Sequence, residues 1–303
     1  MTNLAIEIAG KKFQNPVMPA SGTFGYGEVY TDFFSPNELG AVVCKTIKYE
    51  SWEGNPTPRT CETSCGMLNA IGLQNVGREK FVKEKMPFLR QLKTNIIVSI
   101  AGSKIEEYGQ LAARLDPVEG IDFLEVNISC PNVEAGSQVF GTNPDMAAAV
   151  TNAVKNNTHL PIIVKLTPNV TDITVIAKAV EAAGADAICA INTLLGMSID
   201  INTGKPRIAK TKGGYSGPGI KPIAIRMVYE IAEAVKIPVI GVGGIMNWED
   251  AVEFMMAGAT AIQVGTATFV DPMTMPKIIK GLAEFLEKQE IDDIKKLIGT
   301  VKT

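Results

Sequence analysis

The sequence predicts one α/β domain, residues 1–303, built as a (β/α)8 barrel, and three observations predict it. Short apolar runs alternate with amphipathic helical patterns along all 303 residues, the runs number about eight, and no linker divides the chain. Eight such units favour a closed TIM barrel over an open doubly wound sheet. The runs begin aliphatic and end in Ser21, Lys45-Thr46, Ser99, Asn127, Lys165 to Thr167, Asn192-Thr193, Gly243-Gly244 and Gly265-Thr266. In a barrel those ends meet at one face, where active sites lie, and a merely structural barrel has no need of a polar and cationic ring there.

Taken in order, Leu4 to Ile8, the turn Ala9-Gly10-Lys11-Lys12, and Phe13 read as an N-terminal β-hairpin that plugs one end of the domain. Strands are expected at Val17 to Ser21, Ala41 to Ile47, Asn95 to Ala101, Phe123 to Cys130, Pro161 to Thr167, Ala187 to Thr193, Pro238 to Gly244 and Ala261 to Ala267. Helical periodicity marks Glu79 to Lys93, Pro144 to Asn157, Asp172 to Ala183, Ile220 to Val235 and Trp248 to Ala257. The connections Lys48 to Arg78 and Leu194 to Gly219 exceed the usual length. Both follow strands, so both are expected to overhang the active face as lids or binding loops.

Composition narrows the function. A hydrophobic content of 46% suits a well-buried core, and no uninterrupted apolar stretch reaches the roughly 18 residues of a membrane span. The first residues lack the basic region, apolar run and cleavage site of a signal peptide, so a cytoplasmic protein is expected. Cys44, Cys61, Cys65, Cys130 and Cys189 form no CxxC pair and no familiar metal spacing, which points to a reducing compartment and no metal site. A net charge of -3 without a basic run argues against nucleic acid, yet leaves room for an anionic small molecule.

Val239 to Ile245 and Ile262 to Ala267 are the glycine-bearing ends of the last two strands, after which such barrels often hold a phosphate. Glycine admits close backbone approach and helix-start N–H groups attract an anion, with Gly217 available to close the cup. The phosphate belongs either to a substrate or to flavin mononucleotide. Lys165 suits a Schiff-base nucleophile, a counter-charge for reduced flavin, or an ion-pair partner for Glu125, so phosphate-sugar isomerases and Schiff-base aldolases stay open at this point.

The run Phe123 to Asn132 is a buried strand that stops in Ser-Cys-Pro-Asn and places the Cys130 thiol at the strand's carboxyl edge. Asn127, inside the strand, breaks a local rule of the kind functional sites break. The single histidine, His159, precedes the fifth strand, at the end of the barrel away from the chemistry, and is expected at the surface. A general base must then be a carboxylate, lysine or thiolate, and Cys130 is the best placed of the loop residues. Asn69, Asn127, Asn132 and Asn192 suit a planar, amide-rich substrate, with Lys45 for its negative charge.

Asn127-Ile128-Ser129-Cys130-Pro131-Asn132, Asn69-Ala70-Ile71-Gly72-Leu73, Gly243-Gly244 and Gly265-Thr266 together closely resemble class 1 dihydroorotate dehydrogenases, along essentially the whole chain. Val133 and Phe140-Gly141 resemble the two-subunit, NAD-linked branch more than the fumarate-reducing homodimer, while Glu134 to Ser137 departs from the usual lysine and double glycine. The resemblance implies oxidation of dihydroorotate to orotate in pyrimidine biosynthesis. It implies that Ser21, Lys45, Thr46, Ser99, Asn127, Lys165, Ile191, Gly217, Gly243, Gly244, Gly265 and Thr266 hold FMN. It implies further that Lys45, Asn69, Ala70, Ile71, Gly72, Leu73, Asn127, Asn192 and Thr193 hold the substrate, and that Cys130 is the catalytic base. Electrons would leave through a partner subunit carrying FAD and an iron-sulfur cluster, within a heterotetramer containing a dimer of this chain. Gly213 to Gly217 opens no βαβ unit with an acidic residue at the right distance, so the chain has no FAD or NAD fingerprint of its own.

Overall fold

The computed structural model describes residues 2–129, 131, 132 and 138–302, with the backbone alone at 131, 132 and 138. Cys130, the expected base, lies outside the described residues. Eight parallel strands form the barrel: β1 (Val17–Pro19), β2 (Ala41–Val43), β3 (Asn95–Ile100), β4 (Phe123–Asn127), β5 (Ile162–Leu166), β6 (Ala187–Ala190), β7 (Val239–Val242) and β8 (Ala261–Val264). Their order is β1-β8-β7-β6-β5-β4-β3-β2. At the seam, the Gly40 N–H donates to the Val17 carbonyl at 2.9 Å and nearly closes the ring.

Strand register decides which polar side chains share a layer. Lys165 lies beside Asn127 on β4 and Cys189 on β6, and Glu125 lies beside Ser99 on β3. The upper lumen is thus polar, whereas barrel interiors are usually filled by branched aliphatic residues. Helices cover the outside. Helix Pro144–Lys155 shows why: Asn143 Oδ1 accepts from the Met146 N–H at 3.0 Å, proline occupies the first turn, and Ala147, Val150, Thr151 and Val154 recur at helical spacing on the buried face. The helix expected at Glu79 to Lys93 instead runs from Gly77 to Leu89 and contains a π-helical turn, Phe81–Lys85.

The N-terminal hairpin, Ile6–Ile8 with Lys11–Phe13, covers the amino end of the barrel as expected. Phe13 packs 5.6 Å from Phe123 at the start of β4, and Lys11 pairs with Asp122 at 2.7 Å. His159 is an exposed surface residue, its Nδ1 3.1 Å from Asp116.

The strands leave the ladder earlier than the sequence suggests, because their last residues turn to the cavity. After β2 the Cys44 and Ile47 N–H groups still donate to β3, at 2.8 and 2.9 Å, but the Lys45 N–H turns away to the Gly25 carbonyl at 2.8 Å. Such an interruption re-aims a side chain. A larger difference concerns the two long connections, which are not separate loops. Thr60–Thr63, Gly66–Asn69, Gly213–Ser216 and Leu194–Gly196 combine into one four-stranded antiparallel sheet, with Asn69 beside Gly214 and Leu194 beside Tyr215.

Candidate active site

A cavity of about 820 Å³ opens at the carboxyl ends of the barrel strands, with this small sheet along one side. It gathers nearly every residue singled out from the sequence. Ser21, Lys45, Thr46, Asn127, Lys165, Ile191, Gly217, Gly243, Gly244, Gly265 and Thr266 line it, as do the run Asn69 to Leu73, Asn192 and Thr193. Ser99 does not. It is fully buried behind the wall, its Oγ 2.9 Å from Thr46 Oγ1, so it touches the cavity only through Thr46. Ser129 and Val139 line the cavity as well.

The lining is strongly one-signed. Among the described residues it contains Lys45, Lys48, Lys165, Lys210 and Lys212, and no aspartate, glutamate, histidine or cysteine. A cavity of this sign inside a protein of net charge -3 selects anions.

Three asparagines present fixed amides. Asn127 Oδ1 accepts from the Ser129 N–H at 3.1 Å, and Asn192 Oδ1 accepts from the Thr193 N–H at 2.8 Å. Backbone N–H groups only donate, so both amides are oriented unambiguously. Asn192 Nδ2 then donates to Asn127 Oδ1 at 3.3 Å and to Ser129 Oγ at 3.0 Å, which leaves the Asn127 amide hydrogens for the cavity. Asn69 is held through Nδ2 to the Gly214 carbonyl at 3.3 Å.

At the β7–β8 end the glycines serve two different needs. Gly243 and Gly244 have φ of 135° and 82°, and a Cβ on either would lie 2.8 Å from Ala224 or Lys221, so the chain's own path requires them. Gly265 is different. Its φ is ordinary and a Cβ would meet only Ala20 and Thr23 at 3.6 and 3.9 Å, so nothing in the fold forbids a side chain. What its bareness keeps clear is space beside the cavity it lines. The helix after it, Ala267–Val270, is a single turn, and the helix after Gly244, Trp248–Met256, starts with Asn247 as its cap. Glycine backbone, rather than a long helix dipole, is therefore the main feature of this cup.

Among the described residues, Lys165 is the one buried cation of the lining, 4% exposed. Its Nζ donates to Gln263 Oε1 at 2.9 Å and stands 3.8 Å from Glu125 Oε1. Burial works against the cation, but the buried Glu125 carboxylate beside it favours the charged form, and the lysine pKa is raised above its ordinary value. A Schiff-base nucleophile must be a free amine, so this environment is built for a fixed charge. Burial pushes the thiols of Cys44 and Cys189 upward, and neither lines the cavity.

A sequence profile of the dihydroorotate dehydrogenase family matches residues 3–286. The chain belongs to the dihydroorotate dehydrogenase family. It is 53% identical over 301 residues to a protein of Geotalea uraniireducens, covering 99% of both chains. It is 54% identical over 297 residues to relatives in Desulforamulus reducens and Alkaliphilus oremlandii, covering 98% of each chain. All three relatives bear the name dihydroorotate dehydrogenase B (NAD(+)), catalytic subunit.

Several residues of this family member escaped sequence reasoning. Lys48, Lys210 and Lys212 sit in the long connections, where a lysine carries no positional signal, and only folding brings them to the cavity. Asn169 ties the loops after β5 and β6 together, donating from Nδ2 to the Thr193 carbonyl at 3.1 Å and accepting the Leu195 N–H at 2.8 Å. Gln263 was readable only as an odd polar residue inside a strand of aliphatics.

Proposed function

We propose that this chain is the catalytic subunit of an NAD-linked dihydroorotate dehydrogenase, oxidising dihydroorotate to orotate with FMN as its resident cofactor. The observation that carries the reading is the anion-selecting cavity, whose described lining holds a fixed cation, oriented amides and a bare glycine cup. Its volume of about 820 Å³ lies high in the roughly 300–1,000 Å³ range of ligand pockets, which suits a nucleotide-sized group together with a small substrate. FMN, when bound, supplies the acceptor for the hydride that leaves C6 of dihydroorotate.

The chain's residues divide the remaining work. Gly217, Gly243, Gly244, Gly265 and Thr266 take the FMN phosphate. Lys165 places a positive charge against the flavin ring, the kind of electronic tuning a protein gives a cofactor. Ser21, Lys45, Thr46, Asn127 and Ile191 complete its seat, with Ser99 holding Thr46. Lys45 faces the substrate carboxylate, and Asn69 to Leu73, Asn127, Asn192 and Thr193 hold the pyrimidine's amides. Cys130, as thiolate, removes the proton from C5. A base is needed there, and the only titratable groups of the described lining are lysines. Orienting two reacting groups on one substrate is itself a large part of such catalysis.

Gly265→Ala tests the cup. The variant is expected to keep the wild-type melting temperature while its Kd for FMN rises about tenfold, or about 1.4 kcal/mol. Riboflavin, which lacks the phosphate, is expected to bind both proteins alike, and fluorescence titration measures each case. An equal loss for both flavins would remove the phosphate from this end of the cavity.

The acceptor calls for a second protein. Gly213–Ser216 is a strand of the small sheet and not a dinucleotide loop, so electrons are expected to pass to an electron-transfer subunit with FAD and an iron-sulfur cluster, and thence to NAD. Purified alone, the chain is expected to reduce neither NAD nor fumarate in the steady state. Sustained NAD reduction without a partner would contradict this. The four described cysteines are all unpaired, as in a reducing compartment such as the cytoplasm.

A further inference from the structure

Beneath the cavity the barrel lumen carries a network that the roles above leave partly unexplained. Glu125 on β4 and Gln263 on β8 are fully buried, and neither lines the cavity. Gln263 Oε1 accepts from Lys165 Nζ at 2.9 Å, and Gln263 Nε2 donates to Glu125 Oε2 at 2.7 Å. The amide has one possible orientation, because an ammonium only donates and a carboxylate only accepts. In the sheet order β8 adjoins neither β4 nor β5, so Gln263 reaches its partners across the lumen rather than along a ladder.

An apolar side chain would fill this space without the cost of burying an amide. What the amide adds is a spacer. Lys165 Nζ and Glu125 Oε1 remain 3.8 Å apart, beyond hydrogen-bond distance, and the other titratable group facing this pair is the buried Cys189 thiol, which hydrogen-bonds Glu125. An ammonium has three N–H donors, and one goes to Gln263. Direct contact with Glu125 would take another and draw the cation down into the lumen. With the bridge in place, the charge stays at the cavity.

We propose that Gln263 is a positioning residue, which holds the Lys165 ammonium at the cavity wall and so sets how strongly this chain favours reduced over oxidised FMN. The inference rests on the FMN reading above and adds to it a control on reduction potential, set by a side chain that touches neither cofactor nor substrate.

The test is a redox titration of the FMN-loaded wild type, Gln263→Met and Gln263→Glu, with FMN titration and thermal unfolding alongside. Methionine matches glutamine in length but bridges nothing. Gln263→Met is expected to bind FMN and to favour the reduced state about tenfold less, a shift of about 30 mV to more negative potential for a two-electron couple. A protonated glutamic acid accepts from Lys165 and donates to Glu125 as glutamine does. Gln263→Glu is therefore expected to match the wild type at low pH and to fall below it as the added carboxyl ionises. That crossover decides the matter if Gln263→Met does not fold. Variants that load with FMN and melt lower, yet keep the wild-type potential at every pH, would make Gln263 a structural residue and overturn the inference. A wild-type chain that takes up no FMN would overturn the flavin reading itself, and this inference with it.

Discussion

Cys130→Ala, loaded with FMN, is expected to keep its flavin and to lose about 100- to 10,000-fold in the rate of flavin reduction by dihydroorotate, the usual contribution of a positioned general base. Anaerobic stopped-flow mixing measures it directly. The size of the expected loss follows from how few substitutes the cavity offers. Among the described residues its lining has no carboxylate, imidazole or thiol, and Cys44 and Cys189 are shut away with their thiols pushed upward by burial. Lys165 is kept protonated by its neighbours and has no free pair to accept a proton. The wild-type rate is expected to rise with pH through one ionisation, at or below the ordinary thiol value of about 8.5, as the thiolate forms. In Cys130→Ala that ionisation is expected to vanish. A variant that reduces its flavin at the wild-type rate would take the thiol out of the mechanism.

Lys165→Met is expected to lose both flavin function and stability, and its buried partner explains the second effect. Removing one member of a buried pair leaves the other charge uncompensated, at a cost of about 3–5 kcal/mol. Combining Lys165→Met with Glu125→Gln removes both charges. The double variant is expected to recover most of the melting temperature while FMN retention and reduction stay impaired, which separates the cation's role at the cofactor from its role in the core. A double variant that reduces bound FMN at the wild-type rate would show that the charge is needed only for folding. The pH dependence has a definite sign. The lysine pKa is raised in the folded state, so its stabilising charge is complete at all pH values below its ordinary value of about 10.4 and is lost as pH rises through the higher folded value. The wild type is thus expected to lose stability on the alkaline side through an ionisation that the double variant lacks.

The barrel was legible because its signals are local and repeated. Aliphatic runs such as Ile162–Leu166 and Val239–Val242 declare themselves residue by residue, and the polar residues that end the runs mark the active face. The small sheet beside the cavity was not legible. Its strands are three or four glycine-containing or mixed residues, and Asn69 finds Gly214 from 145 positions away, a pairing no local pattern announces. The strand-end residues that line the cavity were marked by type and place. Lys210 and Lys212 were missed because connections have no register, and Gln263 because its meaning lies in partners on two distant strands. Ser99, which the family resemblance implies for FMN, stands behind the wall with its hydroxyl against Thr46, a placement that the strand-end pattern alone does not reveal.

The measurement that bears most directly on the whole account is the visible spectrum of the purified chain, reconstituted with FMN, before and after anaerobic addition of dihydroorotate. The yellow flavin band is expected to bleach in a single turnover, with one equivalent of orotate released per flavin. A fully loaded protein whose spectrum stays unchanged in the presence of excess dihydroorotate would contradict the account.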